Sequence, residues 1–377
     1  MSEVVISAAA AVTGLGDTLE RTWQRLLAGQ SAIAPVERFA AGAFTSSIAA
    51  CVAQLEPAAN GSRLPSLLER LLDGFAPVPA DSRLLLATTK GAIDLLEAQR
   101  RGAAVAEGAL LPAALLADLE GRLGLSGPSC NINAACASST IAVARGAAAI
   151  ARGSAEAAVV LCCDLLSEFV FSGFSALRAL DPRPSRPFDR QRAGLTLGEG
   201  AAALLLMSRE RALREQRPVL ARVLGWGSAN DAHHITAPAR DGSGLIRAVR
   251  QALATAGVSA AAVDGISAHG TGTVYNDLME LTAFRTLFGE RCPPLHSVKG
   301  ALGHTLGAAG GIEVALGLRS LATGLLPPTV GLEQAEPGAE GLVSADSQPF
   351  AGRLLLSTNS GFGGINGALL LGQEVAA

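Results

Sequence analysis

Cys136 stands in CNINAACASSTIAVARGAAAIARG (130–153), where a strand-like stretch gives way to a long helical run rich in Ala, Ser and Ile. A thiol at such a boundary lies beside unpaired helix N–H groups, which favour the thiolate, the nucleophilic form. A strand-to-helix elbow also exposes the sulfur while holding it rigidly. Small neighbours (Ala134, Ala135, Ala137, Ser138) leave room for a substrate. The segment alone suits a nucleophile and a cysteine that merely fits a tight turn equally well.

Two of the five histidines sit in comparable places. His269 lies in SAHGTGTVYNDLME, at the end of a strand predicted over 263–268, with a helix beginning near Asn276 or Asp277. His304 lies in SVKGALGHTLGAAGG, a second loop leading into a helix, with Lys299 five residues before it. Strand ends opening into helices are where α/β folds build sites. Two neutral imidazoles, each aiming an N–H at one carbonyl oxygen, would stabilise an enolate. A decarboxylative condensation needs that, because loss of carbon dioxide from a malonyl thioester leaves a carbanion. Each histidine alone reads as a satisfied loop residue. Polar candidates in three glycine-rich strand-end loops weigh against that reading.

The elements that must position these groups alternate between short apolar runs and helical patterns, which predicts an α/β architecture. Strands are expected at 4–7, at 83–88 (RLLLAT) and at 157–161, the last buried on both faces because it has no polar alternate side. Leu19, Trp23, Leu26 and Leu27 fall at helical spacing before Gly29. Helices are also expected at 281–287 and 312–321. Residues 35–80 carry no assigned element. LGEGAAALLL (197–206) and FGGINGALLL (362–371) share a glycine-rich turn before an Ala/Leu strand, which suggests a duplicated unit. The seam is placed in the charged stretch 210–218, giving halves 1–210, with the cysteine, and 211–377, with both histidines, as one structural unit.

With 49% hydrophobic and 17% charged residues and a mean hydropathy of +0.35, the chain is apolar, yet its apolar runs are short. The start has no basic stretch before its apolar residues, so neither a signal peptide nor a membrane span is expected. A net charge of −3 gives nucleic-acid binding no support. Six cysteines without a CxxC pair indicate a reduced cytoplasm. Small buried hydrophobe is the default for the other five.

Taken together, NAACASS, RPFDRQRAGLTLGEGA (186–201), DAHHITAP (231–238), AHGTGTVYNDLME (268–280), KGALGHTLGAAGG (299–311) and SGFGGINGALLL (360–371) resemble, in order and spacing, the β-ketoacyl-acyl carrier protein synthase family of the Cys-His-His class. The resemblance implies a thiolase-like fold, with duplicated α/β halves in a five-layered αβαβα sandwich, usually dimeric. It implies that Cys136 accepts the acyl group and that His269 and His304 serve the malonyl carbonyl. Lys299 and Glu280 match a supporting charged pair, and a structural role suits them nearly as well. Thr271 and Thr273 match positions contacting the pantetheine arm. The backbone N–H groups of Cys136 and Phe362 match an oxyanion hole. Asp231, His234 and Thr236 match a loop near the acyl entrance, where structure is the safer role. Ser360 and Ile365 replace an aromatic residue and a threonine of the common pattern, which bears on gating and chain preference. With a shortened 40–124 region, this leans toward a specialised polyketide or polyene pathway.

The implied activity is acyl transfer, with decarboxylative condensation of a Cys-bound acyl group and malonyl carrier protein. No cofactor and no metal are implied, and the partner is acyl carrier protein. The rival is a chain-length-factor type subunit, non-catalytic, in a heterodimer. Such subunits lack the nucleophile, so Cys136 with both histidines weighs against it. A degradative thiolase would need a second cysteine near the C-terminus, and none follows Cys292.

Overall fold

The structure, a computed structural model, describes residues 2–350 and 352–374. Five strands of the first half are β1 (Val4–Thr13), β2 (Arg83–Ala87), β3 (Ser129–Ile132), β4 (Ala157–Asp164) and β5 (Gly200–Ser208). They form a sheet in the order β3-β2-β4-β5-β1. The second half supplies β6 (Ala221–Asn230), β7 (Gly265–Ser267), β8 (Leu295–His296), β9 (Leu354–Gly361) and β10 (Ile365–Gly372), ordered β8-β7-β9-β10-β6. Numbered within each half, both orders are the same. Strand directions also repeat: the second strand is parallel to the third and fourth, and the fifth is antiparallel to the fourth and first. The duplication suggested by the two Gly-then-Ala/Leu segments is therefore present, since β5 and β10 are both fifth strands. The sheets meet edge to edge where Val5 pairs with Arg222 and Ile6 with Ala221.

Seven helices matter for the site: α1 (Leu64–Leu72), α2 (Pro112–Leu123), α3 (Ser138–Ala151), α4 (Glu168–Ala176), α5 (Ser243–Ala256), α6 (Val274–Phe288) and α7 (Ala309–Thr323). α3 and α7 are buried nearly all round because inner-face residues of both sheets, such as Leu85 and Val160 of one and Leu355 and Leu371 of the other, pack with them in one core. On the outer faces α1 and α2 cover the first sheet, and α5 and α6 cover the second. This gives the five-layered αβαβα order.

Glycine lets the middle helices approach so closely. A Cβ on Gly310 would lie 2.0 Å from Thr140 Oγ1, and one on Gly311 2.3 Å from Cys162 Sγ. The Gly311 N–H instead donates to Ser139 Oγ at 2.8 Å. Each of α3 and α7 follows the third strand of its half, so the elbows before them, carrying Cys136 and His304, converge between the sheets.

Some boundaries differ from expectation. β1 runs on to Thr13, because its alanines pair with β5 through a register shift between Ile6 and Ala8. β7 is three residues long and α6 starts at Val274. The stretch 35–80, left without elements, contains α1, whose Leu64, Leu67, Leu68 and Leu71 bury one helical face. Fully burying each contributes about 1.5–3 kcal/mol. Among the described residues no helix is long and apolar enough to cross a membrane.

Candidate active site

Between β3 and α3 the chain turns sharply. Ala135 has φ +49°, a left-handed conformation that alanine adopts only under constraint. Ser138 supplies the constraint: its Oγ donates to Ala135 O (2.6 Å) and accepts from Ala134 N (2.9 Å). Cys136 follows Ala135. The end of β9 lies close against this elbow: a Cβ on Gly361 would stand 3.0 Å from Cys136 N, so a larger residue would push the elbow by a few tenths of an ångström. The next residue, Phe362, brings its backbone N–H to the side of the Cys136 sulfur, where it favours the thiolate.

The expected thiolate is not the resting state. Burial pushes the Cys136 thiol up to about 11, outweighing the opposing pull of Lys299, Lys90 and the Phe362 N–H. The helix begins at Ser138 with Ala137 as its cap, so the sulfur stands one residue short of the orphan N–H groups. Cys136 therefore needs a base.

His269 is held by a loop moulded around two carboxylates. Asp277 and Glu280 lie three apart on α6 and share a face. Glu280 accepts from the N–H groups of His269 (2.8 Å) and Gly270 (2.7 Å). Asp277 accepts from those of Thr271 (3.1 Å) and Gly272 (3.2 Å). Lys299 Nζ donates to His269 O at 2.5 Å and pairs with Glu313 Oε1 at 2.5 Å. This corrects the expected Lys299–Glu280 pair. α7, running between the sheets, brings Glu313 to the lysine, whereas Glu280 is taken up by the loop backbone. Burial, and then the charge of Asp277, push Glu280 up to about 8.

Cys136, His269 and His304 are all buried, and Sγ and one ring nitrogen of each histidine lie within 4.8 Å of one another. The two rings stand edge to face, 5.2 Å apart at 82°. Their proton states are fixed by different neighbours. His304 Nδ1 accepts the Leu306 N–H at 3.1 Å, so its proton sits on Nε2, a donor. Asn359 Nδ2 donates to Glu313 Oε2 at 2.6 Å, which turns Asn359 Oδ1 toward His269 Nδ1, 3.1 Å away. His269 therefore carries its proton on Nδ1 and presents a lone pair at Nε2. Instead of the two N–H donors expected, the site offers one donor and one acceptor. Burial and the nearby Lys299 hold both imidazoles well below the usual histidine range, so both are neutral. The same three atoms form a set that a metal could use. A metal on His304 Nε2 would require a proton on Nδ1, facing the Leu306 N–H, so the arrangement suits thiol chemistry better.

A cleft of about 360 Å³ leads to these residues. Thr271 and Thr273, their hydroxyl oxygens 2.9 Å apart, line it with Asp231, Thr236, Ser360 and Phe362. Asp231 is also structural: its carboxylate accepts from Asn366 Nδ2 (2.8 Å) and Ala239 N (3.0 Å). Ser360 Oγ donates to Asn366 Oδ1 at 2.7 Å. The Phe362 ring stacks on Phe174 of α4, centroids 5.7 Å apart. Lys299, Glu280 and Ile365 do not line the cleft. The first two act through the His269 loop, and Ile365 starts β10 opposite Asn230. Asn359, Glu313, Asp277 and Asp164 escaped the sequence reading. Asp164 accepts from Thr88 Oγ1, Thr89 N and Gly307 N, tying the loop after His304 to the first half.

A buried thiol at a strand-to-helix elbow, with an imidazole lone pair to take its proton and a second imidazole as donor, between duplicated α/β halves, defines a covalent acyl-transfer site. Residues 85–212 match the beta-ketoacyl synthase N-terminal domain, and residues 220–333 its C-terminal domain. The chain is 31% identical to 3-oxoacyl-[acyl-carrier-protein] synthase 2 of Coxiella burnetii over 98% of each chain. It is 29% identical to the enzyme of that name from Vibrio harveyi over 97% of each. Among solved structures it resembles the ishigamide ketosynthase/chain length factor (TM-score 0.91, 29% identity, 99% of this chain and 100% of that one). It also resembles a beta-ketoacyl synthase from Burkholderia phymatum STM815 (TM-score 0.88, 26% identity, 100% of each). The chain belongs to the β-ketoacyl synthase family.

Proposed function

We propose that this protein is a β-ketoacyl-acyl carrier protein synthase in which Cys136 carries the acyl group. One observation supports this above the others: a buried thiol faces one imidazole that can take a proton and one that can only give a hydrogen bond. In the first half-reaction His269 Nε2 takes the thiol proton. The sulfur attacks the acyl thioester of the carrier protein, and the proton passes to the departing carrier thiol. The Phe362 and Cys136 N–H groups face the oxyanion. In the second, malonyl carrier protein lays its thioester carbonyl against His304 Nε2–H. Carbon dioxide leaves, and the electron pair of the broken C–C bond becomes an enolate held by that donor. The enolate carbon attacks the acyl-Cys136 carbonyl, and the expelled thiolate takes up a proton from solvent by way of His269. Neither half-reaction calls for a cofactor or a metal, because both substrates arrive on phosphopantetheine arms.

Likeness to the ishigamide ketosynthase/chain length factor supports assembly with a related subunit; Cys136 with both histidines makes this chain the catalytic member of a homodimer or heterodimer, which we place in a specialised polyketide or polyene pathway of the cytoplasm. The test is mass spectrometry of the protein incubated with acyl carrier proteins, reading the added mass on Cys136. Cys136→Ala should abolish both acylation and condensation. Cys136→Gln should keep malonyl decarboxylation, since a side-chain amide mimics the acylated state. Normal condensation by Cys136→Ala would sink the proposal.

A further inference from the structure

Lysine and arginine together number 30 in this chain, and only Lys90 and Lys299 are lysines. Both lie beside Cys136: after burial, they are the groups that act most on its thiol, and both favour the thiolate. An ammonium is a compact point charge whose donors turn freely, where a guanidinium is a flat, wide fork. A chain that uses arginine everywhere else thus has lysine only where a small, mobile charge fits next to the sulfur. Lys299 is buried and paired with Glu313. Lys90 has no such partner.

Lys90 sits in the turn 88–91 that follows β2, at the same end of the sheet as the Cys136 elbow. Asn133 Nδ2, from that elbow, donates to Thr89 O at 3.0 Å. Asp164, at the end of β4, accepts from Thr88 Oγ1 (2.9 Å), Thr89 Oγ1 (2.9 Å) and Gly307 N (2.7 Å). The turn is therefore tied to the loops of both Cys136 and His304. Lys90 is half-buried, and its Nζ donates to Thr89 Oγ1 at 3.3 Å. Among the described residues no carboxylate pairs with it, so the ammonium keeps donors that no protein group accepts. The cleft lining includes no residue of this turn.

The function proposed above, on which this inference rests, fills the cleft with the malonyl arm while Cys136 still holds the acyl group. The acyl chain therefore has to leave the sulfur on a side other than the cleft. Lys90 adjoins the sulfur outside the cleft, where its ammonium is placed to meet that chain. A plain alkyl chain laid there would strip water from a charge and return no hydrogen bond, whereas a chain with an oxygen would supply the missing acceptor. We infer that Lys90 is a specificity-determining residue, donating to a carbonyl oxygen along the acyl chain on Cys136, so that the enzyme favours oxygen-bearing acyl groups over saturated hydrocarbon ones.

The experiment offers the protein the pantetheine thioester of octanoate and its analogues with a keto group at the third or fifth carbon, and reads the rate of mass gain on Cys136. The wild type should favour at least one keto donor over octanoyl by about tenfold or more in kcat/KM, as a placed donor that meets or misses its oxygen requires. In Lys90→Met, similar in length but uncharged, that margin should shrink to about twofold or less, the loss expected when the hydrogen bond is gone. Lys90→Arg keeps the charge and should keep the preference. If the wild type does not discriminate, or Lys90→Met slows all donors alike and keeps the margin, the charge serves only the sulfur or the Asp164 turn. The inference then falls while the function stands. Loss of the margin in both variants would assign it to the shape of the turn and would overturn the inference as well. If wild-type Cys136 is acylated by neither these donors nor carrier-borne ones, the proposed function falls and takes this inference with it.

Discussion

At residue scale, the two histidines differ by a single proton position, and that difference sets their work. With the thiol at about 11, only about one part in ten thousand is ionised at neutral pH. Without the His269 lone pair, acylation must draw on that fraction. His269→Ala should therefore acylate some 10²–10⁴-fold more slowly at pH 7, and its rate should climb about tenfold per pH unit as hydroxide replaces the missing base. His304→Ala loses a donor and no base. It should keep acylation within a few-fold and lose malonyl decarboxylation by about 10²–10³. Stopped-flow acylation and carbon dioxide release separate the two; equal, pH-independent losses of acylation would contradict the assignment. Cys136, His269 and His304 were legible because rare residue types stood at strand ends in glycine-rich loops. Their proton states were not, since these depend on Asn359 and on the Leu306 N–H, neither of which looks chemical in a sequence. Glu313 left one clue, a carboxylate inside the otherwise apolar run 312–318 of its helix, where burial demands a partner.

At element scale, α6 acts as a template whose two acidic side chains shape the loop that carries His269, at the cost of burying both one turn apart, which keeps Glu280 protonated at neutral pH. Glu280, at about 8 in the folded protein, lies well above an unfolded glutamate near 4.5. The folded state thus holds this proton more tightly. Its stabilising effect is complete below about pH 4.5 and is lost as pH rises through 8. Wild-type stability relative to Glu280→Gln should fall by on the order of 1 kcal/mol or more between pH 5 and 8. Urea titrations of both proteins at those two pH values measure it, and a constant difference would mean that Glu280 is ionised throughout. The variant will also start lower, since one amide oxygen replaces two acceptors for His269 N and Gly270 N. Among the elements, β4 was readable from its unbroken apolar run and α7 from apolar residues at helical spacing. α1 was equally regular in its leucine spacing, but Ala, Pro and Gly on either side masked it. β7 was overextended because Val263 and Ala268 are as apolar as the strand, although only Gly265–Ser267 pair with the neighbouring strands.

At the scale of the whole molecule, the two halves share few strand hydrogen bonds, since β1 and β6 pair only at Val5–Arg222 and Ile6–Ala221. What joins them is the middle layer. α3 belongs to the first half and α7 to the second, yet each packs into a core fed by both sheets; Gly310 lets them close at Thr140, and the Gly311 N–H donates to Ser139 Oγ of α3. The site itself is divided, with the thiol from one half and both imidazoles from the other. Neither half can open without exposing the apolar side of α3 or α7, so unfolding should be a single cooperative event. The sequence supplies its own reporters: the protein has two tryptophans, Trp23 beside the first sheet and Trp226 on β6 of the second. In Trp23→Phe the fluorescence follows the second half, and in Trp226→Phe the first. Once each variant's own change in stability is subtracted, using circular dichroism on the same samples, the fluorescence and dichroism transitions in urea should coincide within each protein. Separation of the two signals, with one half losing its fluorescence change well before the dichroism, would mean that the halves are independent units and that the middle layer does not couple them. Coincidence would place the stability of the Cys136–His269–His304 arrangement in the same event as the stability of the whole chain, because the only surface on which the three groups meet is the one that holds the halves together.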